Sequence, residues 1–251
     1  MMTQQLAVVI MAAGKGTRMK NPDLAKVMYA LNGRPMIDYV IDQALQIGAL
    51  KTIAVVGWQK DAVIEHMIHT MRPVVCVEQS PQLGTGHAVM QAERELNGFP
   101  GDVLVLSGDV PLLTAGTLHR LVRHHRESGA SATVLTTVME DPTGYGRIVR
   151  TETGSVSAII EHRDATEQER SIREINTGIY VFDRRALFDG LRHISPENAQ
   201  KEYYLTDVFS YFWKHDLPIA AVITGDPAEV QGINTVEQLE EARAVWSLRR
   251  S

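Results

Sequence analysis

The stretch Leu6-Ala7-Val8-Val9-Ile10-Met11-Ala12-Ala13-Gly14-Lys15-Gly16-Thr17-Arg18-Met19 decides the fold class. From Leu6 to Met11 it is apolar without interruption, the pattern of a parallel strand buried on both faces. It then opens into a loop of small residues that carries two cations. Small side chains let backbone N–H groups approach phosphate oxygens, and Lys15 and Arg18 put positive charge where a polyanion would sit. The alternative is a surface loop with two solvated cations. It is not a Walker A loop, since no Gly-Lys-Ser/Thr follows at the required spacing. Nor is it the dinucleotide fingerprint, since Met19 stands where the third glycine belongs.

Outward from this strand, Lys51–Val56, Val74–Val77 and Val103–Leu106 read as further buried strands, with amphipathic stretches between them. Pro35–Ile47 places Met36, Val40, Ile41, Ala44, Leu45 and Ile47 on one broad face, and Gly48 follows as a natural stop. Asp61–Thr70, Thr85–Leu96 and Thr114–Glu127 fit helices of the same kind. Strand and helix in regular succession predict right-handed crossovers and an α/β fold. Its core would be a Rossmann-like, doubly wound, mainly parallel sheet with the ligand at the carboxyl ends of the strands.

Past Ala130 the pattern changes. Ala132–Val138, Arg147–Arg150 and Ser155–Ile160 read as strands joined by the turn-rich Asp141–Gly146 and Glu152–Gly154, which predicts a smaller antiparallel, lid-like lobe over the site. Glu174–Phe182 reads as another strand, Tyr203–His215 as a helix, Pro218–Ile223 as a strand and Thr235–Leu248 as a closing helix. No internal repeat, low-complexity linker or clear domain boundary divides the chain.

Composition excludes several classes. The 251 residues are 44% hydrophobic and 22% charged, ordinary globular usage, so the chain can bury a large core. A single cysteine, Cys76, excludes an intrachain disulfide framework. With nine scattered histidines it also excludes a Cys-rich zinc module, and a reducing, cytoplasmic compartment is expected. Twenty-five basic against 30 acidic side chains leave a formal charge of −5, so no global positive field would hold nucleic acid or an anionic membrane. Met1 to Gln5 is polar and the run from Leu6 stops at Gly14, so neither a signal peptide nor membrane insertion is expected.

Three more positions carry chemistry. Lys26 lies close enough in sequence to fold back over the first loop. Leu104-Val105-Leu106 ends in Ser107-Gly108-Asp109-Val110-Pro111, which puts a carboxylate just past a buried strand. Such a carboxylate needs a cation or good donors. Magnesium fits, because it takes one or two protein carboxylates, several waters and substrate phosphates. The alternative is an Asp that caps the turn before Pro111. In Gly232-Ile233-Asn234-Thr235, Asn234 could add an oxygen ligand, although Asn or Thr at the start of the last helix is equally good N-capping chemistry. Cys76 reads as a small core residue, and His66 with His69 and Arg123 through Arg126 as solvated helix faces.

A series of motifs follows in order. After the first loop and Lys26 come Gln79 to Ala88 (QSPQLGTGHA), Gly108-Asp109-Val110-Pro111, Gly144-Tyr145-Gly146-Arg147 and Glu161-His162. Glu174-Ile175-Asn176-Thr177-Gly178 and Glu202-Tyr203-Tyr204-Leu205-Thr206-Asp207 complete it. In these the sequence resembles the sugar-1-phosphate nucleotidylyltransferases. It is most similar to the uridylyltransferase domain of the bacterial bifunctional N-acetylglucosamine-1-phosphate uridylyltransferases. The matches run from Leu6 to beyond Asn234.

The resemblance implies a magnesium-dependent transfer of uridylyl from UTP to N-acetylglucosamine 1-phosphate, giving UDP-N-acetylglucosamine and pyrophosphate for peptidoglycan and lipopolysaccharide. It implies that Ala12, Ala13, Gly14, Gln79, Gly84 and Thr85 hold the nucleotide and that Lys15, Arg18 and Lys26 act on the phosphates. Asp109 and Asn234 would bind magnesium. Gly108, Gly146, Glu161, Asn176, Tyr204 and Thr206 would meet the sugar. Another sugar 1-phosphate or nucleotide, or a non-catalytic nucleotide-sugar sensor, are the alternatives. Three positions depart from the family pattern: Met11 replaces leucine, Ser107 replaces a tyrosine before Gly-Asp, and Lys201 replaces a common glycine before Glu-Tyr-Tyr. Residues 1–251 are expected to be one nucleotidylyltransferase domain without the left-handed β-helix acetyltransferase domain of the bifunctional members. Assembly into a homo-oligomer is compatible with the sequence.

Overall fold

A computed structural model describes residues 5–249 except 20 and 22. The polar N-terminal residues 1–4, Pro22 before Lys26, and Ser251 lie outside the described residues.

The first strand, β1 (Gln5–Ala12), is flanked on both edges by parallel partners. Its apolar run is continuous because each face meets its own core. Leu6, Val8, Ile10 and Ala12 pack on one side of the sheet, with Ile37, Val40 and Ile41 of helix α1 (Met36–Gln46) and Leu118 and Leu121 of α4 (Ala115–Ser128). Ala7 and Val9 pack on the other, with Ala88 and Val89 of α3 (Thr85–Met90). Successive side chains of a strand point to opposite faces, so a sheet covered on both sides shows no polar alternation. The parallel run is completed by β4 (Lys51–Val56), β5 (Val75–Glu78) and β6 (Gly101–Ser107), with α2 (Lys60–His69) between β4 and β5. Two short strands, β2 (Ala30–Leu31) and β3 (Arg34–Pro35), form a hairpin ahead of α1.

The second half of the chain extends this sheet. The strands β7 (Ala132–Val138), β10 (Glu174–Asp183) and β11 (Ile219–Ile223) give the order β11-β7-β10-β6-β1-β4-β5, with β10 antiparallel to both neighbours. A mainly parallel central sheet with an antiparallel addition is therefore borne out. Only β8 (Gly146–Arg150) and β9 (Val156–Ile160), however, leave the central order, as a hairpin paired to the start of β10. The strand over Ala132–Val138 belongs to the main sheet and not to the lobe. Its buried face is as continuous as that of β1, with six successive buried residues from Ala132 to Thr137.

Helix boundaries show three differences. On α1 Leu45 is exposed, so the apolar face is narrower than its sequence indicates. The helix expected over Thr85–Leu96 tightens after Met90 into i→i+3 turns, with Ala92 bonding Val89 and Glu93 bonding Met90, and both Ala92 and Leu96 stay buried. The helix expected from Tyr203 begins at Val208, as α7 (Val208–Lys214), because the backbone of Tyr203 is already committed to Leu83 and Gly86. Two further helices do not stand out in the sequence pattern: α5 (Glu167–Arg170) and α6 (Arg184–Leu191), the latter capped by the Asp183 carboxylate, which accepts from Ala186 N. The closing helix α8 (Val236–Leu248) packs Leu239 and Ala242 against Leu31, Met36 and Tyr39, which fixes the end of the chain beside the first helix. Among the described residues no helix is long and apolar enough to cross a membrane.

Lys201 adopts φ of +56°, in the left-handed region where a Cβ is strained, which is the physical reason glycine is common there in the family it resembles. Lys201→Gly should relieve about 1 kcal/mol of that strain. At this chain length that raises Tm by about 2 °C in a thermal melt, and a lower Tm would contradict the strain.

Candidate active site

Three strand carboxyl ends and one helix amino end meet the same space. The Ala12–Gly14 loop follows β1, Asp109 follows β6, Gln79 follows β5, and the Gly84–Thr85 corner opens α3. With Lys15, Lys26, Gln82 and Glu202 they line a cavity of about 500 Å³. Another cavity, of about 180 Å³, shares Met11, Thr85 and Ser107 with the first and is lined by Gly146, Glu161, Asn176, Tyr180 and Thr206 among others. A cavity of about 480 Å³ at the amino end of β1, beside His119 and Arg123, holds none of the motif residues.

The two cavities are joined by motifs far apart in sequence. Gly86 N donates to Tyr203 O at 2.7 Å, Tyr203 N to Leu83 O at 2.8 Å, and Leu205 N to Thr85 Oγ1 at 3.0 Å. The Gln79–Ala88 run and the Glu202–Asp207 run are thus two sides of one wall. Gly84 is required in this wall: at φ +106° a Cβ would sit 2.6 Å from Tyr203 O. Gln79 is buried and donates to Gly84 O at 2.9 Å, so its side chain holds the corner from behind.

Lys26 folds back over the loop, as its position implied. Its ammonium donates to Asp109 Oδ2 and, at 2.9 Å, to Asn234 Oδ1. The Asp109 carboxylate faces a cation and does not cap the turn, and α8 is capped by Thr235, whose hydroxyl accepts from Gln238 N. Ile233 N donates to Asp109 O at 2.9 Å, which anchors Asn234 beside the carboxylate. Two oxygens 125 positions apart in sequence therefore converge on the Lys26 ammonium, and a carboxylate with an amide oxygen beside it is a donor set that fits a hard divalent cation bound by few protein ligands. Among the described residues no group of three or more His, Cys, Asp or Glu could hold a metal.

Lys15 lines the larger cavity and stacks over the Trp58 ring, its ammonium 5.0 Å from the centroid. Arg18 is exposed, outside the cavity wall, with its charge felt at Tyr145. Gly108 is buried behind the site: its N–H bonds Met11 O, and a Cβ there would meet Val27 at 3.0 Å, so it shapes the turn and does not line the smaller cavity. Tyr204 is also turned inward, accepting from Gln200 Nε2 at 2.9 Å, outside that cavity's wall.

Around the smaller cavity the Glu-Ile-Asn-Thr-Gly run forms a bulge in β10. Thr177 Oγ1 donates to Leu135 O and accepts from Ile179 N, Asn176 Oδ1 accepts from Gly178 N, and Gly178 takes φ +77°. Glu174 anchors the strand by accepting from Thr136 and from both nitrogens of the Arg150 fork. On the hairpin, Arg147 is 1% exposed and donates to the carbonyls of Tyr145 and Arg170, which places Gly146. Burial pushes the Glu161 carboxyl up, against the hydrogen bond from Thr206 Oγ1 at 3.1 Å. Tyr145 is likewise pushed up by burial, while the Gly232 N–H on its oxygen works the other way.

Sequence reasoning missed Tyr180, Gln82 and the Trp58 seat of Lys15. No local pattern marks Tyr180, because its approach to Asn176 depends on the bulge that the strand pairing reveals. Elsewhere Cys76 packs partly buried against the core, and burial pushes its thiol up, away from reactivity. The solvated-face reading of His66 and of Arg123 to Arg126 is corrected: His66 is half-buried on Asp38 at 2.9 Å, His125 is 3% exposed beside Thr133, and Arg126 pairs with the buried Asp102, because these side chains satisfy polar groups under their helices.

The nucleotidyl transferase family matches residues 7–228. The chain belongs to that family. This nucleotidyl transferase is 47% identical over 236 residues to "Bifunctional protein GlmU" of Pelotomaculum thermopropionicum, covering 94% of the chain and 51% of the relative. It is 48% identical over 237 residues to the protein of the same name from Geobacter metallireducens, covering 94% and 49%. The chain thus spans about half the length of these curated relatives. A solved UDP-glucose pyrophosphorylase complexed with UDP-glucose superposes with a TM-score of 0.80 at 18% identity, over 98% of this chain and all of that one, a likeness of fold.

Asp207 generates a pH dependence. Burial first, and then the charge of Asp164, push its carboxyl up to about 6. A raised acid destabilises the folded state once ionised, so the cost is absent below the unfolded value and fully present above the folded one. Asp207→Asn should therefore raise Tm relative to the parent above about pH 6.5, and the gain should shrink toward zero as the pH falls to about 4. Melts at four pH values check this, and a gain that grows on acidification would refute it.

Proposed function

We propose that this chain transfers uridylyl from UTP to N-acetylglucosamine 1-phosphate, giving UDP-N-acetylglucosamine and pyrophosphate in a reducing, cytoplasmic compartment. The observation that carries the reading is the pair of cavities with a common wall at Met11, Thr85 and Ser107, with Asp109 and Lys26 on the larger one. The larger cavity would take the nucleotide against the Ala12–Gly14 backbone, Gln79, Gly84 and Thr85. The smaller would take the hexose against Gly146, Glu161, Asn176 and Thr206. The first relatives' shared name and the motif match support this assignment.

In a single in-line displacement, a phosphate oxygen of the sugar attacks the α-phosphorus of UTP. A new P–O bond forms there, the bond to the bridging oxygen of the β-phosphate breaks, and its electron pair leaves with pyrophosphate. The nucleophile is already anionic, so no general base and no covalent enzyme intermediate are required. Positioning and charge neutralisation supply the catalysis. Lys26 would neutralise phosphate oxygens at the junction, and Lys15 and Arg18 would face the departing pyrophosphate. Asp109 and Asn234 would hold magnesium, which when bound supplies charge neutralisation at the phosphates.

Ser107 lines both cavities where the family often has tyrosine, and this favours, as a second reading, another hexose 1-phosphate. A panel of sugar 1-phosphates and nucleoside triphosphates separates the two. With UTP, kcat/KM for N-acetylglucosamine 1-phosphate should exceed that for glucose 1-phosphate by at least about tenfold, and equal use would overturn the first reading. Asp109→Asn removes a full ligand charge and should lower kcat by more than about 100-fold at fixed magnesium, with Tm little changed. Turnover within about twofold of the parent would exclude the metal role.

A further inference from the structure

Asn176 and Tyr180 are four residues apart on β10, which in a regular strand separates them by about 13 Å. Here they are much nearer. Asn176 opposes Thr136 and Tyr180 opposes Val134, so β10 advances four residues while β7 advances two. The bulge through Gly178 brings the pair to the spacing of alternate residues on one face, about 7 Å. That is within reach of a phenol, and Asn176 Nδ2 donates to Tyr180 Oη at 2.7 Å.

This contact and one to the backbone together hold the Asn176 amide. The two ends of an amide are alike in shape and opposite in hydrogen bonding. Oδ1 accepts from Gly178 N at 3.2 Å, a donor that fixes which end of the amide faces the backbone, and the phenol then takes Nδ2 and pins the other end of a side chain only 7% exposed. One Nδ2 hydrogen and one Oδ1 lone pair then remain. Tyr180 itself cannot move: it is 2% exposed, with its ring 5.5 Å from Phe182 and 5.8 Å from Phe209, centroid to centroid. Tyr180 and Asn176 both line the smaller cavity.

We infer that Tyr180 is a positioning residue for sugar recognition, pinning in place the Asn176 amide that meets the hexose. The inference rests on the reading of the smaller cavity as the hexose site. Tyr180 does not touch the reacting phosphates, so its effect belongs in sugar-phosphate binding and not in the chemical step.

The test is a double-mutant cycle of Tyr180→Phe and Asn176→Ala, read with UTP and N-acetylglucosamine 1-phosphate. Phenylalanine keeps the ring packing and removes only the oxygen. Tyr180→Phe should raise the sugar-phosphate KM about tenfold, with the UTP KM and kcat within about twofold and Tm within about 2 °C of the parent. In the Asn176→Ala background the same change should alter the sugar-phosphate KM by less than about twofold, because the residue it positions is gone. Additive effects would overturn the inference. So would a Tyr180→Phe enzyme with unchanged sugar-phosphate KM, or one that loses Tm while both KM values rise together. A parent that turns over no N-acetylglucosamine 1-phosphate would overturn the hexose reading and this inference with it, whereas a competent parent with an indifferent Tyr180→Phe would sink this inference alone.

Discussion

One ammonium group holds three distant parts of the chain at a single point. Lys26 comes from the segment after the first loop, Asp109 from the end of β6, and Asn234 from the loop before the last helix, and all three meet through hydrogen bonds to one nitrogen. The lysine and aspartate side chains are 14% and 15% exposed, so neither charge could be left alone there without a large desolvation cost. The pair explains why a carboxylate can follow a wholly buried strand. It also sets the two oxygens proposed for a metal beside the cation proposed to face the phosphates, and it ties this point to the packing of α8 against α1.

The second organising feature is the antiparallel strand β10. Inserted between β6 and β7, it starts at the hairpin and ends in the central sheet, so a single strand joins the two parts of the site. Its bulge turns backbone polar groups away from the ladder. The Asn176 and Thr177 side chains satisfy the N–H groups of Gly178 and Ile179 that the ladder would otherwise have taken. The same residues that repair the strand then face the smaller cavity. Strand repair and the lining of the smaller cavity are one structure here, and the short run Asn-Thr-Gly carries both.

Much of this was legible in the residues. The buried strands were readable because a short apolar run closed off by turns, with no polar face, fits a strand covered on both sides, and Lys51–Val56 and Ala132–Val138 fall where they were expected. Ala12 to Lys15 of the first loop, Gln79, Gly84, Thr85, Glu161, Asn176 and Thr206 each line one of the two adjoining cavities, whereas Arg18 of the same loop does not. Gly108 and Tyr204 do not, since a motif marks a segment and not which way each side chain faces. The helix over Thr85–Leu96 was too long because apolar spacing does not register a change from i→i+4 to i→i+3 bonding. Tyr180 was not legible because its distance to Asn176 depends on a bulge, and strand periodicity assumes none.

By itself the sequence determined the alternation of strand and helix, the phosphate-ready loop after β1 and the types of residue that could do phosphoryl chemistry, because these follow from local patterns of apolarity, size and charge. Only the tertiary structure decided that β7 and β11 extend the main sheet and that β10 runs against it. It also decided that Asn234 meets Asp109 across 125 positions while Thr235 does the capping. Pairing partners and convergent oxygens lie at sequence separations where no local propensity acts. They are set by how two buried faces and one buried charge pair can be satisfied at once.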